Sequence, residues 1–127
     1  MGMLISPSPL VRKVIGCGIE VHKALGPGLL ETPYQQCLAQ ELTVCGISFR
    51  REVIVPVRYR DLTLEHAYRV DFIVEGELLL EIKSIESLLP IHTAQVLTYL
   101  KLLDLHHGLL MNFNVPVLVR GIRSIRR

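Results

Sequence analysis

Apolar residues recur at helical spacing in three stretches of this chain and alternate with polar ones between the second and the third. Val11, Val14, Ile15, Ile19 and Leu25 form one stripe, with Arg12, Lys13, Gly16, Glu20 and Lys23 on the other side. The spacing predicts a helix over roughly residues 9–25, led in by Pro7 and Pro9 and broken by Gly26-Pro27-Gly28. Thr32 can cap a second helix, with Pro33 at its first position and Gln35 completing a capping box. That helix runs to about Cys45, with Gly46 at C′. Glu31 then falls just before the cap, outside the helix. A third helix, roughly residues 90–105, opens at Pro90 and closes at Gly108. Val96, Leu97, Leu100 and Leu103 are its buried stripe, and His92, Gln95 and Tyr99 share another face.

A β-run from Ile47 to about Tyr59 turns near Arg60-Asp61, and a second strand begins near Leu64. Two last strands, about 108–113 and 117–123, surround the turn from Asn112 to Pro116. The order α-α-β-β-β-α-β-β makes an α+β chain. It has no repeat, low-complexity tract or linker, so residues 1–127 read as one domain.

The runs Arg69–Glu75 and Glu77–Lys83 meet at Gly76 and form a hairpin with the loop Glu75-Gly76-Glu77. Side chains alternate across a strand. One face then reads Val70, Phe72, Val74, Leu78, Leu80, Ile82, all apolar. The other places Asp71 opposite Glu81 and Arg69 opposite Lys83. A two-residue loop would put Asp71 and Glu81 on opposite faces, since a one-residue slip flips every side chain. The apolar alternation favours the three-residue loop. Cross-strand partners lie about 4.5–5.5 Å apart at Cβ. Two carboxylates that close repel unless a cation lies between them, and oxygen ligands suit Mg²⁺. Lys83 points to the same face and can meet charge developing on a phosphate. The plain alternative is a solvated antiparallel face on which Arg69 and Lys83 balance the two acids. Ile73 and Leu79 share that face near the turn, which argues for something covering it.

Composition narrows the classes. Half of the 127 residues are hydrophobic and 20% are charged, which excludes a disordered chain and allows a real core. A net charge of +2 is too small to establish a nucleic-acid partner by itself. The basic run Arg120-Gly-Ile-Arg-Ser-Ile-Arg-Arg127 fits either a phosphate backbone or a solvated tail. No stretch approaches the roughly 18–20 apolar residues of a membrane span, and the N-terminal residues are too weakly apolar for a secretory signal. The three cysteines, Cys17, Cys37 and Cys45, are odd in number and contain no CxxC pair. A disulfide framework or zinc site is not indicated, and a reducing cytoplasm fits best. Cys37 and Cys45 fall on one helix face as expected core residues.

Gly28-Leu-Leu-Glu31-Thr-Pro-Tyr34 resembles the signature of the GxxExxY family of the PD-(D/E)xK nuclease superfamily. The stretches Glu20–Gly28, Tyr68-Arg-Val-Asp71, Glu81-Ile-Lys83, Gln95-Val-Leu-Thr-Tyr-Leu100 and Gly108–Phe113 are similar to the family too. Together they cover roughly residues 10–125 in order. The resemblance implies a restriction-endonuclease-like core: a mixed sheet of four to five strands flanked by helices, with a metal site where the central strands diverge. It implies Asp71 and Glu81 as metal ligands and Lys83 as the catalytic lysine. Glu31 resembles the glutamate near the first helix of many members. Gln95 and Tyr99 match a QxxxY element that supports the site and the nucleic-acid backbone. Val70 stands where the superfamily name has proline, a position that is not a ligand.

Phosphodiester hydrolysis needs an activated water and a stabilised dianion, and a bound metal serves both. Asp71 and Glu81 supply oxygens, with the Ile82 carbonyl a plausible third. The expectation is an Mg²⁺- or Mn²⁺-dependent nuclease acting on nucleic acid, DNA before RNA. The alternative is a catalytically silent nuclease fold used for binding or regulation, and a homodimer would supply a binding groove in either case. Residue by residue the plainer roles stay open. Glu31 can be a turn carboxylate at a helix N-terminus, worth about 0.3–1 kcal/mol. Gln95 and Tyr99 can be a surface and a core residue. Glu20 and His22 read as a surface pair and a packed histidine.

Overall fold

The computed structural model describes residues 8–127, so Pro7 and most of the stretch tested for a secretory signal lie outside the described residues. The elements are α1 (Pro9–Leu25), α2 (Glu31–Val44), β1 (Phe49–Tyr59), β2 (Leu62–Val74), β3 (Leu78–Lys83), α3 (Pro90–Leu103), β4 (His107–Asn112) and β5 (Ile122–Arg126). The five strands form one mixed sheet in the order β1-β2-β3-β4-β5. All neighbours are antiparallel except β3 and β4, which run parallel. A parallel pair needs a crossover, and α3 is that crossover. None of the helices among the described residues is long and apolar enough to cross a membrane.

Two cores sandwich the sheet. Val14, Val21, Leu38 and Leu42 of the first two helices pack on Phe72, Leu78, Leu80, Ile82 and Met111. Val96 and Leu100 of α3 pack on Ile73, Leu79 and Leu110. Strands β3 and β4 are buried on both faces, as expected of a parallel pair covered by helices on each side.

The hairpin register is the expected one: Phe72↔Leu80, Ile73↔Leu79 and Val74↔Leu78. Glu75 (φ 52°) and Gly76 (φ 70°) make the turn. One residue departs. Val70 packs in the α3-side core, while Phe72 and Val74 pack in the other. The same switch occurs on β1, where Phe49 packs with the first core and Val53 with the second. Between them Glu52 has φ 50°, a left-handed backbone that breaks strict alternation. The pairs on either side, Arg51↔Phe72 and Val53↔Val70, keep one register. Glu52 and Asp71 stand together at the break.

Helix α1 has the expected ends, with Val11 N donating to the capping Ser8 Oγ at 3.2 Å. Helix α2 does not. It starts at Glu31 on an N-cap residue, Leu30, with no side-chain cap, so Thr32 is not a cap and Glu31 lies in the first turn. Tyr34 decides this. Its hydroxyl donates to Gly26 O and accepts from Leu29 N, and its ring stacks on Phe113 at 4.5 Å. The loop is therefore shaped by a long-range anchor. Cys37 and Cys45 are exposed and only Cys17 is buried, because the inward stripe of α2 is Tyr34, Leu38 and Leu42. Helix α3 ends at Asp104 in the left-handed conformation, and Gly108 lies inside β4. A Cβ on Gly108 would sit 2.8 Å from Val96 Cγ1, so that glycine allows α3 to approach the sheet.

Strand β5 begins at Ile122, later than expected, because Leu118–Gly121 wind into a 3₁₀ turn. Gly121 lies against the Asn112 carbonyl, where a Cβ would clash with backbone. The Asn112 side chain in turn accepts from Ile85 N and donates to Ile85 O, both at 3.0 Å. Gly121→Ala should therefore destabilise the fold by about 1–3 kcal/mol, the usual cost of overpacking. Urea titration measures it, and a midpoint equal to wild type would show that the turn yields freely.

Candidate active site

Strands β2 and β3 pair only as far as Phe72↔Leu80. The next partners in register are Asp71 and Glu81, and here the strands part. Each then needs an acceptor for a buried amide. Glu81 Oε1 accepts from Asp71 N at 2.8 Å, and Asp71 Oδ2 accepts from Ile82 N at 2.7 Å. The two carboxylates thus exchange places with backbone carbonyls, each holding the other strand. Glu81 is only 9% exposed, so the pair is not a solvated outer face. Burial, and next the charge of Asp71, push the Glu81 carboxyl up to about 8.

Lys83 is half-buried at the end of β3 and lowers the Glu81 value through space. The ladder stops before the expected Arg69–Lys83 pair, and Arg69 pairs with Glu52 at 3.1 Å instead. Glu31 lies in one cleft with Asp71, a space of about 610 Å³ between α2 and the β1–β2 pair. Its Oε2 accepts from Ser84 N at 3.3 Å, and Ser84 Oγ donates to Leu29 O. Phe113 N donates to Lys83 O at 2.9 Å. The end of β3 is thereby clamped from the α2 side by Glu31 and Leu29, and from the β4 side by Phe113 and Asn112.

Tyr99 is half-buried on α3, its ring 5.6 Å from that of Tyr68. Burial first, and then the charge of Glu81, push the Tyr99 hydroxyl above its ordinary value. Gln95 is exposed one turn earlier and does not line the cleft. Ile82 contributes its amide to Asp71 and its side chain to the core. Glu20 is in a surface pair with Lys23 at 3.7 Å, and His22 packs near Phe113 with Nε2 2.8 Å from Val115 O.

Two residues at the site escaped the sequence reading. Gln35 Nε2 donates to Asp71 Oδ1 at 2.8 Å, and Arg51 donates to Gln35 Oε1 at 2.8 Å. Gln35 lies one helical turn beyond Glu31, and that spacing was the available signal.

A sequence profile described as the PD-(D/E)XK nuclease superfamily matches residues 8–125. The chain belongs to the PD-(D/E)XK nuclease superfamily. No curated protein and no solved structure gives a match. The five-stranded mixed sheet flanked by helices agrees with the restriction-endonuclease-like fold of that superfamily. Its nucleases act on nucleic acid and generally use divalent metal ions.

The residues of this PD-(D/E)XK domain fit such an ion. Among the described residues there is no cluster of three or more His, Cys, Asp or Glu side chains arranged for a metal. The pair supplies two carboxylates. Mg²⁺ is commonly held by one or two carboxylates while keeping waters and substrate oxygens. A buried glutamate raised by a neighbouring aspartate is a group whose charge a divalent cation would stabilise.

With metal removed by EDTA, the raised Glu81 value fixes the sign of a pH effect. Glu81 protonates more readily in the folded chain than in the unfolded one, whose ordinary value is 4.5. Its stabilising contribution is fully present below about 4.5 and declines as pH rises, until the folded group itself ionises near 8. Glu81→Gln should flatten this decline in melts between those limits. A wild-type slope retained in the variant would place the titration elsewhere.

Proposed function

We propose that this chain is a divalent-metal-dependent nuclease that hydrolyses DNA phosphodiester bonds, in the GxxExxY branch of its superfamily, with residues 1–127 as one catalytic domain. The observation that supports this most is the buried Asp71–Glu81 pair at the parting of β2 and β3. Such a pair raises its own proton affinity unless a cation joins it. We assign Asp71, Glu81 and the Ile82 carbonyl as metal ligands. When bound, the ion supplies Lewis acidity toward a phosphoryl oxygen and a water.

The other roles belong to the chain. Lys83, held at the clamped end of β3, meets charge on the phosphate as it develops. Glu31 fixes Ser84 and so the direction in which Lys83 leaves the strand, and it faces the cleft in which a water would be oriented. Tyr99 sits on the α3 side of Glu81 and supports that carboxylate. Gln95, exposed one turn away, is left to contact the nucleic-acid backbone. Free cysteines suit a reducing compartment, and we place the protein in the cytoplasm.

Mg²⁺ or Mn²⁺ should raise the melting temperature of wild type, by the equivalent of about 2.7 kcal/mol at a hundredfold excess over Kd. Asp71→Ala and Glu81→Ala should lose most of that response. Lys83→Ala should keep it and lose cleavage of DNA by about 10²–10³-fold, since lysine serves the transition state more than the ground state. A metal response with no cleavage of single- or double-stranded DNA or RNA by wild type would favour a silent binding module. The absence of both the metal response and any cleavage would refute the nuclease reading and leave the binding module.

A further inference from the structure

The cleft beside Asp71 carries a charge that the site does not use. Arg51 is exposed on β1 and forms no ion pair among the described residues. Its guanidinium donates, among the described residues, to a neutral amide, Gln35 Oε1. Arg69, which also lines the cleft, is matched by Glu52 at 3.1 Å. The orientation of Gln35 is fixed by its partners. A carboxylate can only accept and a guanidinium can only donate, so Nε2 must face Asp71 and Oε1 must face Arg51. The half-buried Gln35 amide links a metal-ligand candidate, Asp71, to an exposed arginine. The left-handed Glu52 allows Arg51 and Glu52 to line one cleft from adjacent strand positions.

From this geometry we propose that the cleft between α2 and the β1–β2 pair is a phosphate subsite. Arg51 grips a nucleic-acid backbone phosphate adjacent to the reacting one, and Gln35 is a positioning residue that sets Asp71 and Arg51 relative to each other. This rests on the nuclease reading. A guanidinium fork matches a phosphate with two parallel hydrogen bonds, which a lysine ammonium does not reproduce. One N–H held by Gln35 orders the fork before the ligand arrives, so less freedom is lost on binding. The alternative phosphate surface is the basic run on β5, at the far side of the sheet from β2, where Arg127 is already engaged by Asp104.

The test is binding by the Lys83→Ala protein in Mg²⁺, which keeps the ligand intact. Fluorescence anisotropy of a labelled DNA duplex is followed over a series of salt concentrations. Adding Arg51→Ala should weaken binding by about 10-fold or more and reduce the salt slope by about 1. Arg51→Lys should restore the slope but not the full affinity. Arg51→Gln, with a similar stem, serves if the alanine variant melts early. Gln35→Leu should shift the Mn²⁺ midpoint, read from thermal melts, by about 10–100-fold. If Arg51→Ala changes neither slope nor affinity while Arg126→Ala does, the subsite is wrong and the nuclease reading survives. An unchanged Mn²⁺ midpoint in Gln35→Leu overturns the positioning role. If the Lys83→Ala protein shows no salt-dependent binding to duplex or single-stranded DNA, the subsite and the DNA-nuclease reading fall together.

Discussion

Where β2 and β3 part, two carboxylates do the work of two backbone carbonyls, and the chemistry of the site depends on that exchange. A sheet cannot open in its interior without orphaning amides, and a buried orphan is costly. Asp71 takes the amide of Ile82 and Glu81 takes that of Asp71, so the strands separate and stay tied. The same bonds bring two acids together where water is scarce. The raised proton affinity of Glu81 is the electrostatic consequence. A gap that satisfies its backbone with two acids holds one of them, Glu81, toward its protonated form.

Two further constraints aim the groups. The left-handed Glu52 and its neighbour Asp71 mark where the β1–β2 pair exchanges its core partners from one face of the sheet to the other. That exchange opens the cleft in which Asp71, Glu31 and Arg51 meet. Backbone strain of this kind persists only where the surroundings over-determine it, and it gathers at functional sites. The second constraint is the clamp on the end of β3. Ser84 is held by Glu31 and Leu29, while Ile85 is held by Asn112. Tyr34 shapes the loop that carries Leu29 and stacks on Phe113, whose amide bonds Lys83 O. In this chain the tyrosine and glutamate of the GxxExxY pattern both act to fix the strand that bears Lys83.

Much of this is legible in the sequence alone. The apolar alternation around Gly76 set the hairpin register, because only one register buries Phe72, Val74, Leu78 and Leu80 together. The limits of α1 followed from its proline and glycine punctuation. What failed were inferences from local chemistry where a distant residue decides. Thr32 lost the cap because Tyr34 ties the loop to Gly26. Val70 left its expected face because Glu52, on another strand, breaks the alternation. Spacing alone makes Cys37 a core residue, but the larger Tyr34, Leu38 and Leu42 take the inward stripe of α2. Helical spacing puts Gln35 one turn beyond Glu31, but its contacts with Asp71, 36 residues away, and with Arg51, 16 away, lie beyond any periodicity.

The most direct measurement is the anomalous scattering of Mn²⁺ in crystals of the wild-type protein. The account predicts one strong peak between Asp71 and Glu81, within coordination distance of an oxygen from each, and its loss in Glu81→Gln. Density for Mn²⁺ only at other carboxylates, with the Asp71–Ile82 and Glu81–Asp71 hydrogen bonds intact at saturating metal, would contradict it.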